Sequence, residues 1–229
     1  MSERRSCVVT GAGTGIGYAT VASLTAAGWY VVAVGQRSEY LESLVERLSP
    51  ARVAALPGSV SDPTVSDRAA DLASEQAPLR GWVNNAAVFE AAPLHRLDAA
   101  TLAATLDVNL IGATLASAVA VRRYLAQGTG GAIVNVSSIH ASHAFHDWAA
   151  YDIAKAGMEG LTRSTAVQYA SQGIRANAVA PGLIAVERYR EWLATFPVAE
   201  RAERGRPPPS RPWAARVARA RSHQSSGSC

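Results

Sequence analysis

Lysine is almost missing from this chain: of 22 basic residues only Lys155 is a lysine, and the rest are arginine. A composition that avoids lysine wherever arginine serves makes the single one notable, although chance placement is the plain alternative. Cysteine is as scarce. Cys7 and Cys229, at opposite ends, build neither a disulfide framework nor a metal site, and no metal is expected. Acids are absent from residues 205–229, which carry Arg206, Arg211, Arg216, Arg219 and Arg221. The other residues therefore hold 22 − 5 = 17 bases against 18 acids, about −1, so the net +4 is not the charge of a nucleic-acid binder. No unbroken apolar run nears the roughly 18 residues that cross a bilayer, and Cys7-Val8-Val9 is too short for a secretory signal. A soluble, cytoplasmic protein with no nucleic-acid or membrane partner is expected.

Present instead is a regular alternation. Short β-branched runs at Ser6 to Thr10, Trp29 to Val34, Arg52 to Leu56, Leu79 to Val83, Ala132 to Val136 and Ile174 to Ala180 read as strands. Between them, helical periodicity runs over Gly15 to Ala27, Ser38 to Leu48, Asp62 to Glu75, Ala99 to Gln127 and Trp148 to Ser171. Such alternation requires parallel strands joined by right-handed helical crossovers, which is a doubly wound, Rossmann-like α/β sheet in a single domain. Ligands of such sheets sit beyond the carboxyl ends of the strands, where strand order reverses.

After the first strand comes Thr10-Gly11-Ala12-Gly13-Thr14-Gly15-Ile16-Gly17, opening the first helix. Glycines let the backbone turn sharply and approach a pyrophosphate, while the helix start offers free N–H groups. At the end of the second strand an acid would meet a free ribose 2′-hydroxyl, yet the stretch here is Val34-Gly35-Gln36-Arg37-Ser38. Arg37 suits a 2′-phosphate, hence NADP with NAD as the alternative; a solvated surface arginine is the other reading.

Tyr151 and Lys155, four residues apart on the late helix, share one face. A neighbouring cation favours phenolate, and such a phenol can exchange a proton with a carbonyl or alcohol oxygen. Ser138 follows the fifth strand at the ligand edge, where it could hold a reacting oxygen or simply cap a turn. Asn109 lies inside a helix, where asparagine has no intrinsic preference, so its amide needs partners from water or a backbone carbonyl.

This ordered set resembles the short-chain dehydrogenase/reductase family over about residues 5 to 200. The glycine pattern matches Thr10 to Gly17, the Asn-Asn-Ala element matches Asn84-Asn85-Ala86, and the catalytic set matches Asn109, Ser138, Tyr151 and Lys155. Residues Gly173 to Gly182 are similar to the segment that closes over the nicotinamide. The resemblance implies hydride exchange between NAD(P) and a ketone or secondary alcohol, with Tyr151 as general acid or base. It also implies that Lys155 holds the nicotinamide ribose and lowers the tyrosine pKa, that Ser138 binds the substrate oxygen, and that Asn109 places a proton-relay water. Gly11, Gly13, Thr14, Gly15, Ile16, Gly17, Asn85, Ala86, Pro181 and Gly182 would surround the cofactor.

The chain departs from the family in places. Ala87 replaces a glycine, and Ser59 replaces an acid that touches adenine. Thr14 stands where NADP-preferring relatives often carry a base. His140, His143 and His146 line up between Ser138 and Tyr151 and read as pocket lining or surface rather than zinc ligands. Leu183 to Phe196, with Tyr189 and Trp192, reads as a substrate lid or as ordinary core. Beyond residue 204 the resemblance stops at Arg206-Pro207-Pro208-Pro209, and residues 205–229 read as a disordered basic tail. The family's final edge strand is therefore expected to be missing, with any homo-oligomer weakened. A shifted reading frame or a genuine alternative terminus would each produce that change, and a non-catalytic cofactor binder is the rival to the enzyme.

Overall fold

The computed structural model describes residues 4–184, 193–195, 197–198 and 216–219. Six parallel strands run β1 (Ser6–Thr10), β2 (Tyr30–Gly35), β3 (Val53–Pro57), β4 (Leu79–Asn84), β5 (Gly131–Val136) and β6 (Ile174–Ala180). The sheet order is β3-β2-β1-β4-β5-β6-β7. Central β1 is buried at every residue, as a near-continuous apolar strand covered on both faces should be. The order reverses between β1 and β4, which puts the crevice for a ligand above Thr10 and Asn84.

β7 (Arg216–Arg219) corrects one expectation. It pairs antiparallel with β6, setting Val217 against Val179 and Ala218 against Ala178, so the sheet edge beside β6 does carry a strand. Ladder pairing needs backbone N–H and C=O groups, which an Arg- and Ser-rich composition supplies as well as any other; the unpaired edge of β6 supplies the template. The remaining residues of the tail lie outside those described.

The crossovers are α1 (Gly15–Ala26), α2 (Ser38–Leu48), α3 (Pro63–Gln76), α4 (Ala99–Leu106), α5 (Ala113–Gln127) and α6 (Ala149–Tyr169). Two of them start as their sequences dictate: Asp62 accepts from Thr64 N with Pro63 in the first turn, and Asp98 accepts from Thr101 N. The helix expected over Ala99 to Gln127 is one run with an interruption, because Asp107–Gly112 forms a π-helical turn between α4 and α5. That run is also more apolar than unbroken stretches suggested, with a mean hydropathy of 1.5 in its richest window, enough to span a membrane by length and composition. Half of that window is buried, and α5 packs on α3, β4 and β5 while α4 packs on α6, as an interior helix does.

Candidate functional site

The glycine loop leaves β1 with Gly11 at φ 62° and Gly15 at φ 56°, conformations that favour glycine. A Cβ at Gly11 would stand 2.7 Å from Ala86 Cα, and one at Gly17 would stand 2.1 Å from the Gly11 carbonyl oxygen. Glycine is thus demanded by packing as well as by φ. Thr14 precedes α1 in extended conformation without a side-chain cap, leaving the first-turn amides for a ligand, and Ile16 lies within that turn. Thr10 ties the loop to the end of β4: its hydroxyl donates to the Val83 carbonyl and accepts from the amides of Asn85 (3.0 Å) and Ala86 (3.1 Å). The Asn85 amide donates back to the carbonyls of Thr10 (3.0 Å) and Gly11 (2.9 Å). Arg37 stands at the end of β2, its guanidinium over the Tyr40 ring at 4.5 Å and donating to the Tyr40 hydroxyl at 3.1 Å. Nearby, Gln36 donates to Ser59 Oγ, a neutral contact in the place of the absent acid.

At the other end of the crevice, α6 buries one face that carries both Tyr151 and Lys155. The Lys155 ammonium lies 5.4 Å from the centre of the Tyr151 ring and donates to the Val136 carbonyl at 2.7 Å, with Met158 Sδ at 4.0 Å. A buried ammonium with one strong acceptor is poorly compensated, and burial lowers its pKa from 10.5 to about 8. Ser138, itself buried, begins the turn after β5 and accepts from the His140 amide at 3.3 Å. That turn is pinned to the end of β6 by the Ile139 amide, which donates to the Pro181 carbonyl, with Gly182 following.

Asn109 sits in the π turn and is fully buried. Its amide clasps the backbone of Val88: the carboxamide oxygen accepts from Val88 N and the nitrogen donates to Val88 O, both at 2.8 Å. It thereby holds the loop that leaves β4.

Three features escaped the sequence. The first is a buried polar chain across the sheet. Trp82 Nε1 donates to Asn84 Oδ1, Asn84 Nδ2 to Ser117 Oγ and Asn135 Oδ1, and Asn135 Nδ2 to Thr162 Oγ1. Two asparagines in strands, where that residue is depleted, are the signal that could have shown it. The second is an aromatic wall, with Phe89 at 4.9 Å and Trp148 at 5.9 Å from the Tyr151 ring. It is assembled where the Ala92 amide donates to the Asp147 carbonyl, and Asp147 turns the chain into α6 at φ 68°. The third is a pairing of His140 with Asp152 at 2.5 Å. Of the other histidines, His143 Nδ1 lies 3.0 Å from Ser142 Oγ. Tyr189 and Trp192 of the expected lid lie outside the described residues.

The residues at the crevice fit a dinucleotide: a glycine cradle that side chains would fill, open amides at a helix start, and a buried lysine short of acceptors. Comparison with known proteins agrees. The model of the family described as short chain dehydrogenase matches residues 5–195. A cis-4-hydroxycyclohexanecarboxylate dehydrogenase of Sinomonas cyclohexanicum is 43% identical over 183 residues, 78% of this chain and 72% of that protein. The L-xylulose reductase of Mus musculus is 36% identical over 185 residues, 79% of this chain and 72% of that one. Among solved structures, one assigned as a short-chain alcohol dehydrogenase from Sinorhizobium meliloti 1021 superposes with a TM-score of 0.76 at 30% identity, covering 85% of this chain and 80% of the other.

Proposed function

The chain belongs to the short chain dehydrogenase family and is an oxidoreductase of alcohols and ketones dependent on NAD(P); from that premise we propose that Tyr151 is its proton-transfer residue and NADP its preferred cofactor. The observation that carries the reading is the buried face of α6, where the Lys155 ammonium lies 5.4 Å from the Tyr151 ring beside the Ser138 turn. When bound, the nicotinamide supplies or accepts the hydride. The phenol Oη of Tyr151 gives its proton to the carbonyl oxygen in reduction and takes it back in oxidation. Ser138 Oγ donates a hydrogen bond to that same oxygen and orients it. Lys155 holds positive charge beside the phenol and favours its ionised form. Phe89 and Trp148, against the Tyr151 ring, give the reacting carbon an apolar wall on one side.

NADP is supported by Arg37, which is held at the end of β2 by Tyr40, and by the lack of a carboxylate there. A soluble, cytoplasmic protein is supported by the packing of the one long apolar helical run among the described residues against α3, α6 and the sheet. Exposed Ile111, Leu115, Ile153 and Val167, on and around α5 and α6, support self-association. The test is turnover of a panel of ketones and secondary alcohols with NADP and NAD, read at the reduced-nicotinamide absorbance band. Tyr151→Phe is expected to abolish turnover while cofactor affinity stays nearly intact. Parental rates in that variant would reject the mechanism, and cofactor binding without turnover of any substrate would favour a binding protein.

A further inference from the structure

Beside Tyr151 stands a polar pair that proton transfer does not use. His140 Nδ1 lies 2.5 Å from Asp152 Oδ1, and each side chain is only 18% exposed. Asp152 follows Tyr151 on α6, and His140 follows Ser138 by two residues, so the pair bridges the two elements that carry the reacting groups. The imidazole has little freedom. Phe145 lies over it at 4.3 Å and 33°, while Tyr151 and Trp148 meet it edge-on at 5.1 and 5.7 Å. Nδ1 is committed to Asp152, and Nε2 has no hydrogen-bond partner among the described residues. A part-buried ring nitrogen in that condition is open to water or to a group that a substrate brings.

The charge state decides what can meet it. Burial holds the His140 pKa below its ordinary value; the bond and charge of Asp152 oppose this, and the Lys155 charge adds to it. A neutral imidazole that donates Nδ1–H to a carboxylate keeps a lone pair on Nε2, and so accepts rather than donates. An acceptor backed by a carboxylate welcomes a hydroxyl and repels an anionic oxygen.

We propose that His140 selects the substrate of this site: oriented by Asp152, its Nε2 accepts a hydrogen bond from a hydroxyl on the carbon next to the reacting one, so the chain favours hydroxyketones and vicinal diols over simple ketones and alcohols. The inference rests on the reading of Tyr151 and Ser138 given above, since those residues set the reacting carbon beside His140. In oxidation the reacting carbon loses its C–H pair as hydride to the oxidised nicotinamide, and its O–H proton goes to Tyr151 Oη. The neighbouring hydroxyl keeps its proton and only donates to Nε2.

The experiment compares the parent with His140→Leu and His140→Gln on cis-1,2-cyclohexanediol and cyclohexanol. The parent prefers the diol. In H140L the diol-to-cyclohexanol ratio of kcat/KM falls about tenfold, mainly through KM for the diol. In H140Q, whose amide oxygen reaches the place of Nε2, the ratio returns to within about threefold of the parent. An unchanged ratio in H140L overturns the proposal. So does a parent that prefers cyclohexanol, or one that prefers cis-4-hydroxycyclohexanecarboxylate with a preference that H140L abolishes, which would make His140 an anion site. Should the parent turn over neither these alcohols nor any member of the panel above, the redox reading has failed, and His140 is judged by diol binding to the cofactor-loaded protein through tryptophan fluorescence. Binding weakened about tenfold in H140L and recovered in H140Q sustains the role; equal affinity in all three proteins overturns it.

Discussion

Lys155 spends stability in order to be where it is. Its pKa, lowered by burial from 10.5 to about 8, corresponds to about 3 kcal/mol of differential interaction. Between those two pH values the unfolded chain binds more protons at this residue than the folded one, so stability rises with pH across the window and the penalty is fully present below about pH 8. Lys155→Met, which removes the charge, is therefore expected to raise the stability of the cofactor-free protein at pH 7 while lowering turnover, and to bring the two proteins close together near pH 10. Urea unfolding at both pH values tests this, and parallel pH profiles would refute it. Arginine could not take the position, because its planar fork has a different donor geometry, which explains why a chain that otherwise uses arginine keeps this lysine. Arg37 is the opposite case, an exposed cation whose value depends on a ligand. Arg37→Ala should erase a preference for NADP over NAD of about tenfold in affinity, about 1.4 kcal/mol; equal affinities in the parent would remove the role.

At the scale of the element, the π turn Asp107–Gly112 has the clearest structural consequence. An extra residue in the helical turn widens it, and such bulges concentrate at functional positions. Asn109 uses the turn to reach Val88, so Asn109→Ala leaves one amide and one carbonyl of that backbone without partners. The expected loss is about 2 kcal/mol, or roughly 4–8 °C in Tm, with turnover falling more than cofactor affinity. Asn109→Asp, which buries a carboxylate and turns one of its oxygens toward the Val88 carbonyl, should lose more stability than Asn109→Ala; a thermal scan and kinetics on both variants decide it. The turn also marks the limit of what the sequence discloses. The strands, crossovers and glycine loop were legible because each is encoded locally, by periodicity or by motif. The π turn answers to the Val88 backbone that Asn109 clasps, the His140–Asp152 pair to the turn after β5 folding onto α6, and the Asn84–Asn135–Thr162 chain to strands and helices meeting across the sheet, so none of them follows from a local pattern.

Across the whole molecule, the two halves of the sheet are covered differently. In β5 and β6 burial alternates: Ile133, Asn135, Ala176 and Ala178 are buried, while Ala132, Val134, Val136, Asn177 and Val179 are partly exposed. Strand periodicity of two puts the first set on the face that α5 and α6 cover. Several of the second set line a groove of about 690 Å³ that runs past α1 to Trp29 and Cys7. Among the described residues, β6 is therefore weakly supported on one face, and its outer edge is held by β7 alone. An uncovered parallel strand is a template for intermolecular pairing, so β7 protects against aggregation as well as adding stability. Ending the chain at residue 204 removes it, and the expected outcome is a loss of about 2 kcal/mol, roughly 4–8 °C in Tm, with light scattering that grows with concentration during the scan. A truncated protein with the parent's Tm and no added scattering would show that the strand contributes nothing to the sheet, and would return residues 205–229 to the unstructured tail that their composition suggests.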